Sequence, residues 1–182
     1  MVNIYKLKLT NLQQRILRLL FIKAGISLNQ RGVARILGVS QPAVMKALPE
    51  LKKDDLIKLE QDKESKRWSI ELNRDNTKAI WLKRADNLKQ IYESGLVDFF
   101  YEKLQGSTVI MFGSYSFGDD TFNSDIDLAM IGGKKIDINL NPFDKILERI
   151  IIINYYSSFK KIDGPLKNNI LNGIVLKGGV EI

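Results

Sequence analysis

Cysteine and histidine are both absent from the 182 residues of this chain, and proline occurs only four times. Without them there are no disulfides, no Cys/His zinc sites, no iron–sulfur clusters, no thiol nucleophile and no triad built on imidazole. Any catalysis must rest on carboxylates, hydroxyls, amines, backbone groups or oxygen-bound metals. Apolar runs long enough to span a bilayer are also missing. The opening segment MVNIYKLKLT lacks the apolar core and small-residue cleavage site of a secretory leader. A cytoplasmic protein with no membrane partner is the expectation. The apolar content of 45% suits one sizeable core or two small ones, which argues against disorder and repeat arrays.

Positive charge is unevenly placed. Residues 1–72 hold 14 Lys/Arg against 7 Asp/Glu, whereas residues 73–182 hold 14 of each. An N-terminal part that meets a polyanion and a C-terminal part with another task fit that asymmetry. A basic surface kept for solubility is the alternative.

Local patterns divide the chain in the same place. Leu12, Ile16, Leu19 and Leu20 recur at helical spacing after Asn11, and Gly25 closes that segment. A second helix over about 28–37 carries Val33, Ala34 and Leu37 and stops at Gly38. Ser40 can cap a third, with Pro42 in its first turn, where no donor is required, and Ala43, Val44, Ala47 and Leu51 along one side. Pro49 should bend or shorten this helix. Two alternating segments, 57–60 and 67–72, flank the polar stretch QDKESK and read as a β-hairpin. The turn Gly38-Val39-Ser40 with Gln41-Pro42-Ala43-Val44, followed by the basic hairpin, resembles a winged helix-turn-helix domain over about residues 8–72. The resemblance implies that Gln41, Pro42, Met45 and Lys46 face a nucleic-acid groove, with Lys63, Lys66 and Arg67 near phosphates. A three-helix module used for dimerisation or protein contact stays open beside it.

Trp81, Ala85, Leu88 and Tyr92 form a helical stripe that reads as core, and Ser94-Gly95 breaks the helix before a second one with Leu96, Phe99, Phe100 and Leu104. This stretch reads as a connector. Two-fold association, giving a homodimer, is compatible with it or with the winged helix.

The chemistry lies further on. An apolar strand, Ser107 to Phe112, runs directly into Gly113-Ser114, and Asp125-Ile126-Asp127 opens a second strand eleven residues later. Alternation puts Asp125 and Asp127 on one side of that strand, about 7 Å apart along the backbone. Two ionised carboxylates so placed repel, and a hard divalent cation, Mg²⁺ or Mn²⁺, would turn the repulsion into binding. Glycine lets backbone approach a phosphate, and the Ser114 hydroxyl and amides of a following helix can donate to its oxygens. The lysine of a Walker loop is missing after the glycine. Asp119 and Asp120 read as solvated turn residues.

Phe112-Gly113-Ser114-Tyr115-Ser116-Phe117-Gly118 with Asn123-Ser124-Asp125-Ile126-Asp127-Leu128 resembles the signature of the DNA polymerase β-like nucleotidyltransferases, in particular the minimal prokaryotic and archaeal type, over about residues 96–182. The resemblance implies two-metal transfer of a nucleotide from a nucleoside triphosphate to a hydroxyl of protein or RNA. Asp125 and Asp127 would be catalytic metal ligands, and Gly113 and Ser114 would bind nucleotide. A third carboxylate is expected on the next strand, Ile151 to Tyr156, where the central polar residue is Asn154. An amide neither carries charge nor accepts a proton at neutral pH, so Asn154 implies an attenuated site. Asp137 and Asp163 are weaker substitutes.

The expected fold is α+β: a winged helix-turn-helix domain over residues 1–74, a helical connector over 75–104, and over 105–182 a nucleotidyltransferase domain with a mixed β-sheet flanked by helices. The expected function is a Mg-dependent nucleotidyltransferase coupled to DNA or RNA binding. The alternative is a DNA-binding regulator with a nucleotide-sensing, inactive domain.

Overall fold

The computed structural model describes residues 9–180, so most of the opening segment MVNIYKLKLT lies outside the described residues. The fold is α+β and forms two compact units, the chain passing from one to the other between Ala79 and Ile80. Among the described residues no helix is long and apolar enough to cross a membrane.

Three capped helices and a hairpin make the first unit. α1 (Asn11–Ile22) opens on a reciprocal cap, in which the Gln13 amide N–H donates to Thr10 Oγ1 and the Thr10 N–H donates to Gln13 Oε1. α2 (Gln30–Leu37) is capped by Asn29, and α3 (Gln41–Lys53) by Ser40. α2 begins two residues later than its apolar pattern implies because Leu28 exchanges both backbone hydrogen bonds with Ile70. β1 (Ile57–Gln61) and β2 (Trp68–Leu72) pair antiparallel. Ile16, Leu20, Val33, Val44, Leu48, Leu51, Ile70 and Leu72 close the core. Pro49 does not shorten α3, which runs on to Lys53 with the ring exposed.

α4 (Thr77–Glu93) leaves the first unit after Ala79, and its remainder and α5 (Leu96–Lys103) belong to the second. The stretch read as a connector is therefore built into a core: Ile91, Leu96, Val97, Phe100 and Leu104 pack with the sheet. That sheet has the order β5-β4-β3-β6. β3 (Thr108–Phe112) is antiparallel to both β4 (Ile126–Ile131) and β6 (Ile174–Lys177), and β4 is parallel to β5 (Ile151–Tyr156). α6 (Gly113–Phe117) follows β3, α7 (Asn141–Leu147) precedes β5, and α8 (Gly164–Leu171) precedes β6. Alternation splits the strands between two layers. Val109, Met111, Leu128 and Met130 join the α5 side, and Ile110, Phe112, Ala129 and Ile131 join Phe159, Ile162 and Ile170 on the other.

The stripe on α4 faces the other way from its expected place. Trp81 is 66% exposed and Tyr92 50%, Ala85 is exposed, and only Leu88 is partly buried. The buried side carries Ala79, Lys83, Asn87 and Ile91. Pairing with a carboxylate, described below, takes the polar side chains inward, an outcome that hydrophobic periodicity does not encode.

An exposed proline inside a helix removes the hydrogen bond from residue 49 to the carbonyl of Met45. Pro49→Ala should therefore stabilise the first unit by roughly 1–3 kcal/mol, after allowing for the greater freedom of the unfolded chain. Thermal unfolding followed by circular dichroism checks the rise in Tm.

Candidate active site

β3 delivers its last residue, Phe112, level with Asp127 of β4. Gly113 then turns at φ +72°, and a Cβ built there would lie 2.7 Å from Asp127 Oδ2. Positive φ and lack of space both require glycine. One turn of helix follows, held by a hydrogen bond from Ser116 Oγ to the Gly113 carbonyl at 2.8 Å. Ser114, on its first turn, is half-buried. The turn before Asp125 is fixed by the Thr121 N–H donating to Ser124 Oγ at 2.9 Å and the Ser124 N–H to the Thr121 carbonyl at 3.1 Å. Asp125, Asp127, Gly113 and Ser114 are thus brought together at one end of the sheet.

Partial burial, and then the Asp125 charge, push the Asp127 carboxyl above the usual carboxylate range. The two carboxylates are close enough to feel each other. Among the described residues no group of three or more acidic side chains could hold a metal. Mg²⁺ commonly uses one or two carboxylates with waters and substrate phosphates, so the pair fits a cation shared with phosphate and not an all-protein cage.

Strand register decides what stands next to the pair. Ile152 is level with Asp127, and Asn154 is level with Ala129, one pair further along the same face and half-buried. Asp137 lies elsewhere: it is exposed in the loop beside Tyr155, whose hydroxyl donates to the Ile136 carbonyl at 3.1 Å and whose pKa is raised by burial and by Asp137. Tyr155 alternates to the opposite face from residues 152 and 154. Asp163 is exposed at the start of α8. Neither aspartate completes the site.

Asp120 corrects the reading of a solvated loop. It is 1% exposed and paired with Lys83, Asn87 and Arg149, which the sequence reading did not single out. Lys83 and Asn87 sit four apart on α4, the only sequence trace of a shared face. Asp119 is exposed, in keeping with a turn.

The first unit presents a different surface. Gln41, Pro42 and Lys46 are exposed on the first turns of α3, and Lys63, Lys66 and Arg67 are exposed at the hairpin tip. Asp62 orders that tip by accepting from the Ser65 and Glu64 amides, which hold its carboxyl below the usual range. Met45 is different, since it is partly buried against the core. Asn29, Arg31 and Gln41 line a cleft of about 440 Å³ with Lys66, Arg67 and Trp68. Arg31 and, in an adjoining cleft, Arg35 add cations that the sequence reading did not place there.

Residues 93–176, nearly all of them in the second unit, match the family model of the nucleotidyltransferase domain. No curated protein matches the chain. Among solved structures it is similar to the adhesin competence repressor AdcR from Streptococcus pyogenes, with 26% identity over 57% of this chain and 72% of that one and a TM-score of 0.42. It is similar also to MepR, a transcription regulator of the Staphylococcus aureus multidrug efflux pump MepA, with 28% identity, coverages of 53% and 72%, and a TM-score of 0.38. ZitR from Lactococcus lactis shows 24% identity, coverages of 53% and 64%, and a TM-score of 0.41.

A carboxyl whose pKa is raised on folding contributes stability below its unfolded value of 3.8 and loses it as pH rises through the folded value. Ionised Asp127 therefore works against the metal-free fold at neutral pH. Asp127→Asn should raise the Tm in EDTA at pH 7 by roughly 1–3 °C, with the gap narrowing toward pH 4; calorimetry across that range is the check.

Proposed function

We propose that this protein is a Mg²⁺-dependent nucleotidyltransferase, attached to a nucleic-acid-binding winged helix, that moves a nucleoside monophosphate from a triphosphate to a hydroxyl of protein or RNA. The observation that carries the reading is the packing of the Gly113-Ser114 turn directly on Asp127. Ser114, on the first turn of α6, would hold phosphate oxygens. Asp125 and Asp127 would hold Mg²⁺ or Mn²⁺, which when bound offsets charge on the α-phosphate and the leaving pyrophosphate. The acceptor oxygen bonds to the α-phosphorus, the bond to the bridging oxygen breaks, and pyrophosphate leaves with its electron pair. The acceptor's proton passes to solvent, because Ile152 beside Asp127 and the Asn154 amide accept none. Transfer is correspondingly slow.

A second reading draws on the same register. With isoleucine level with Asp127, the site would bind nucleotide as a signal and the first unit would act as a regulator. Incubation with α-³²P nucleoside triphosphates and an extract of the source cells, followed by ribonuclease or protease digestion, separates the two. Slow label that Asp127→Asn abolishes and Ile152→Asp raises at least about tenfold supports transfer, and the digestion identifies the acceptor. Mg·ATP binding by the wild type with no label, together with label from Ile152→Asp, supports sensing.

For the first unit the proposal is duplex DNA, held through Arg31, Lys46, Lys66 and Arg67. Four phosphate contacts imply that affinity for a mixed-sequence duplex falls roughly 100-fold between about 50 and 200 mM salt. Arg31→Ala/Arg67→Ala should weaken binding and flatten that slope by about two contacts. Fluorescence anisotropy measures both, and an affinity indifferent to salt or to the double substitution would sink the assignment.

A further inference from the structure

A buried charge cluster in the second unit takes no part in holding phosphate or cation, and it borders the site. Lys83 is fully buried, Asp120 is 1% exposed, Asn87 5% and Arg149 6%. Lys83 Nζ donates to Asp120 Oδ1. Asn87 Nδ2 donates to the same oxygen at 2.7 Å and to the Tyr115 carbonyl at 2.9 Å. Arg149 Nη2, at the entry to β5, stands 3.6 Å from Asp120 Oδ2. The segment between the two Asn87 contacts is seated on α4 itself: a Cβ on Gly118 would lie 2.7 Å from the Ile80 carbonyl oxygen and 2.8 Å from the Arg84 nitrogen.

Stability alone is a poor reason for such a cluster. Desolvating an ion pair costs about what the pairing returns, and apolar replacements of equal volume are often neutral or better. The cluster does fix position. Tyr115 adjoins Ser114, and Asp120 leads through one turn to Asp125, so a single side-chain amide holds both ends of the segment between phosphate donors and carboxylates. Lys83 and Arg149 hold Asp120 in place as its anchor.

We propose that Asn87, with Asp120 and Lys83, is a positioning residue for the site, setting the Gly113-Ser114 turn against Asp125 and Asp127 and thereby the affinity for a triphosphate. The proposal rests on the nucleotide reading above. Misplacement of binding groups by about 1 Å can cost on the order of 100-fold in function, so loosening one end of the segment should be measurable.

The test uses the full chain, Mg·ATP as the probe, calorimetric titration well below the Tm, and amide hydrogen exchange. Asp120→Asn strands two buried cations and is at risk of not folding, so Asn87→Ala, which changes no charge, decides the question. The expected result is a Kd for Mg·ATP weakened about tenfold, with faster exchange over residues 114–120 and unchanged protection in β3 and β4. A variant with a lower Tm, a Kd within about twofold of the wild type and unchanged exchange over that segment would overturn the proposal and leave a merely structural cluster. Wild type that fails to bind Mg·ATP defeats the nucleotide reading instead, and the proposal falls with it.

Discussion

A carboxylate oxygen of Asp127 occupies the space that a side chain at residue 113 would need, and the geometry of the second unit's site depends on that approach. It sets the end of β3 against the start of β4 and forces the backbone through a left-handed turn. The first N–H groups of α6 are left beside two carboxylates. The Gly113-Ser114 turn and the Asp127 carboxylate then share one small volume. Burial, and then the Asp125 charge, make Asp127 hold its proton more tightly than a solvated aspartate does.

The same sheet limits what the site can do. Parallel pairing of β4 and β5 is anchored where the Ile126 N–H donates to the Ile150 carbonyl at 2.8 Å and the Ile151 N–H to Asp144 Oδ1 at 3.0 Å. With that register in place, Ile152 and not Asn154 is level with Asp127. A slip of one residue would turn every side chain of β5 to the other face and expose Ile151, which is buried. The apolar packing of β5 therefore holds isoleucine beside the carboxylate pair. This physical fact makes slow transfer and nucleotide sensing the two readings worth separating.

Much of this was legible in residue order. The helix cap at Ser40 acts through a neighbour three positions away, and the hairpin and the Asp125/Asp127 strand follow from period-two alternation, so short windows contain the relevant physics. What failed to show was set by long-range partners. Trp81, Ala85, Leu88 and Tyr92 make a fair apolar stripe, yet the side chains that turn inward from α4 are Lys83 and Asn87, because Asp120 lies 37 and 33 residues away to receive them. Leu28 left its helix for a bridge to Ile70. The residue level with Asp127 on β5 depends on a pairing that no local pattern fixes, and counting polar residues along the strand points to Asn154.

Burial of Lys83 and Asn87 also explains why α4 can expose tryptophan and tyrosine without losing its place. An amphipathic helix is normally oriented by its apolar face. Here the orientation is imposed from the opposite side, since rotating α4 to bury Trp81 would carry the Lys83 ammonium and the Asn87 amide away from the buried Asp120 carboxylate, at a cost of several kcal/mol. Ile91 and the close seat of Gly118 on the helix backbone act in the same sense. Hydrophobic burial supplies the energy that holds the second unit together, but the directional groups choose which arrangement it stabilises. Those groups lie at the segment joining the Gly113-Ser114 turn to the carboxylates, where displacement of the backbone would alter the site most.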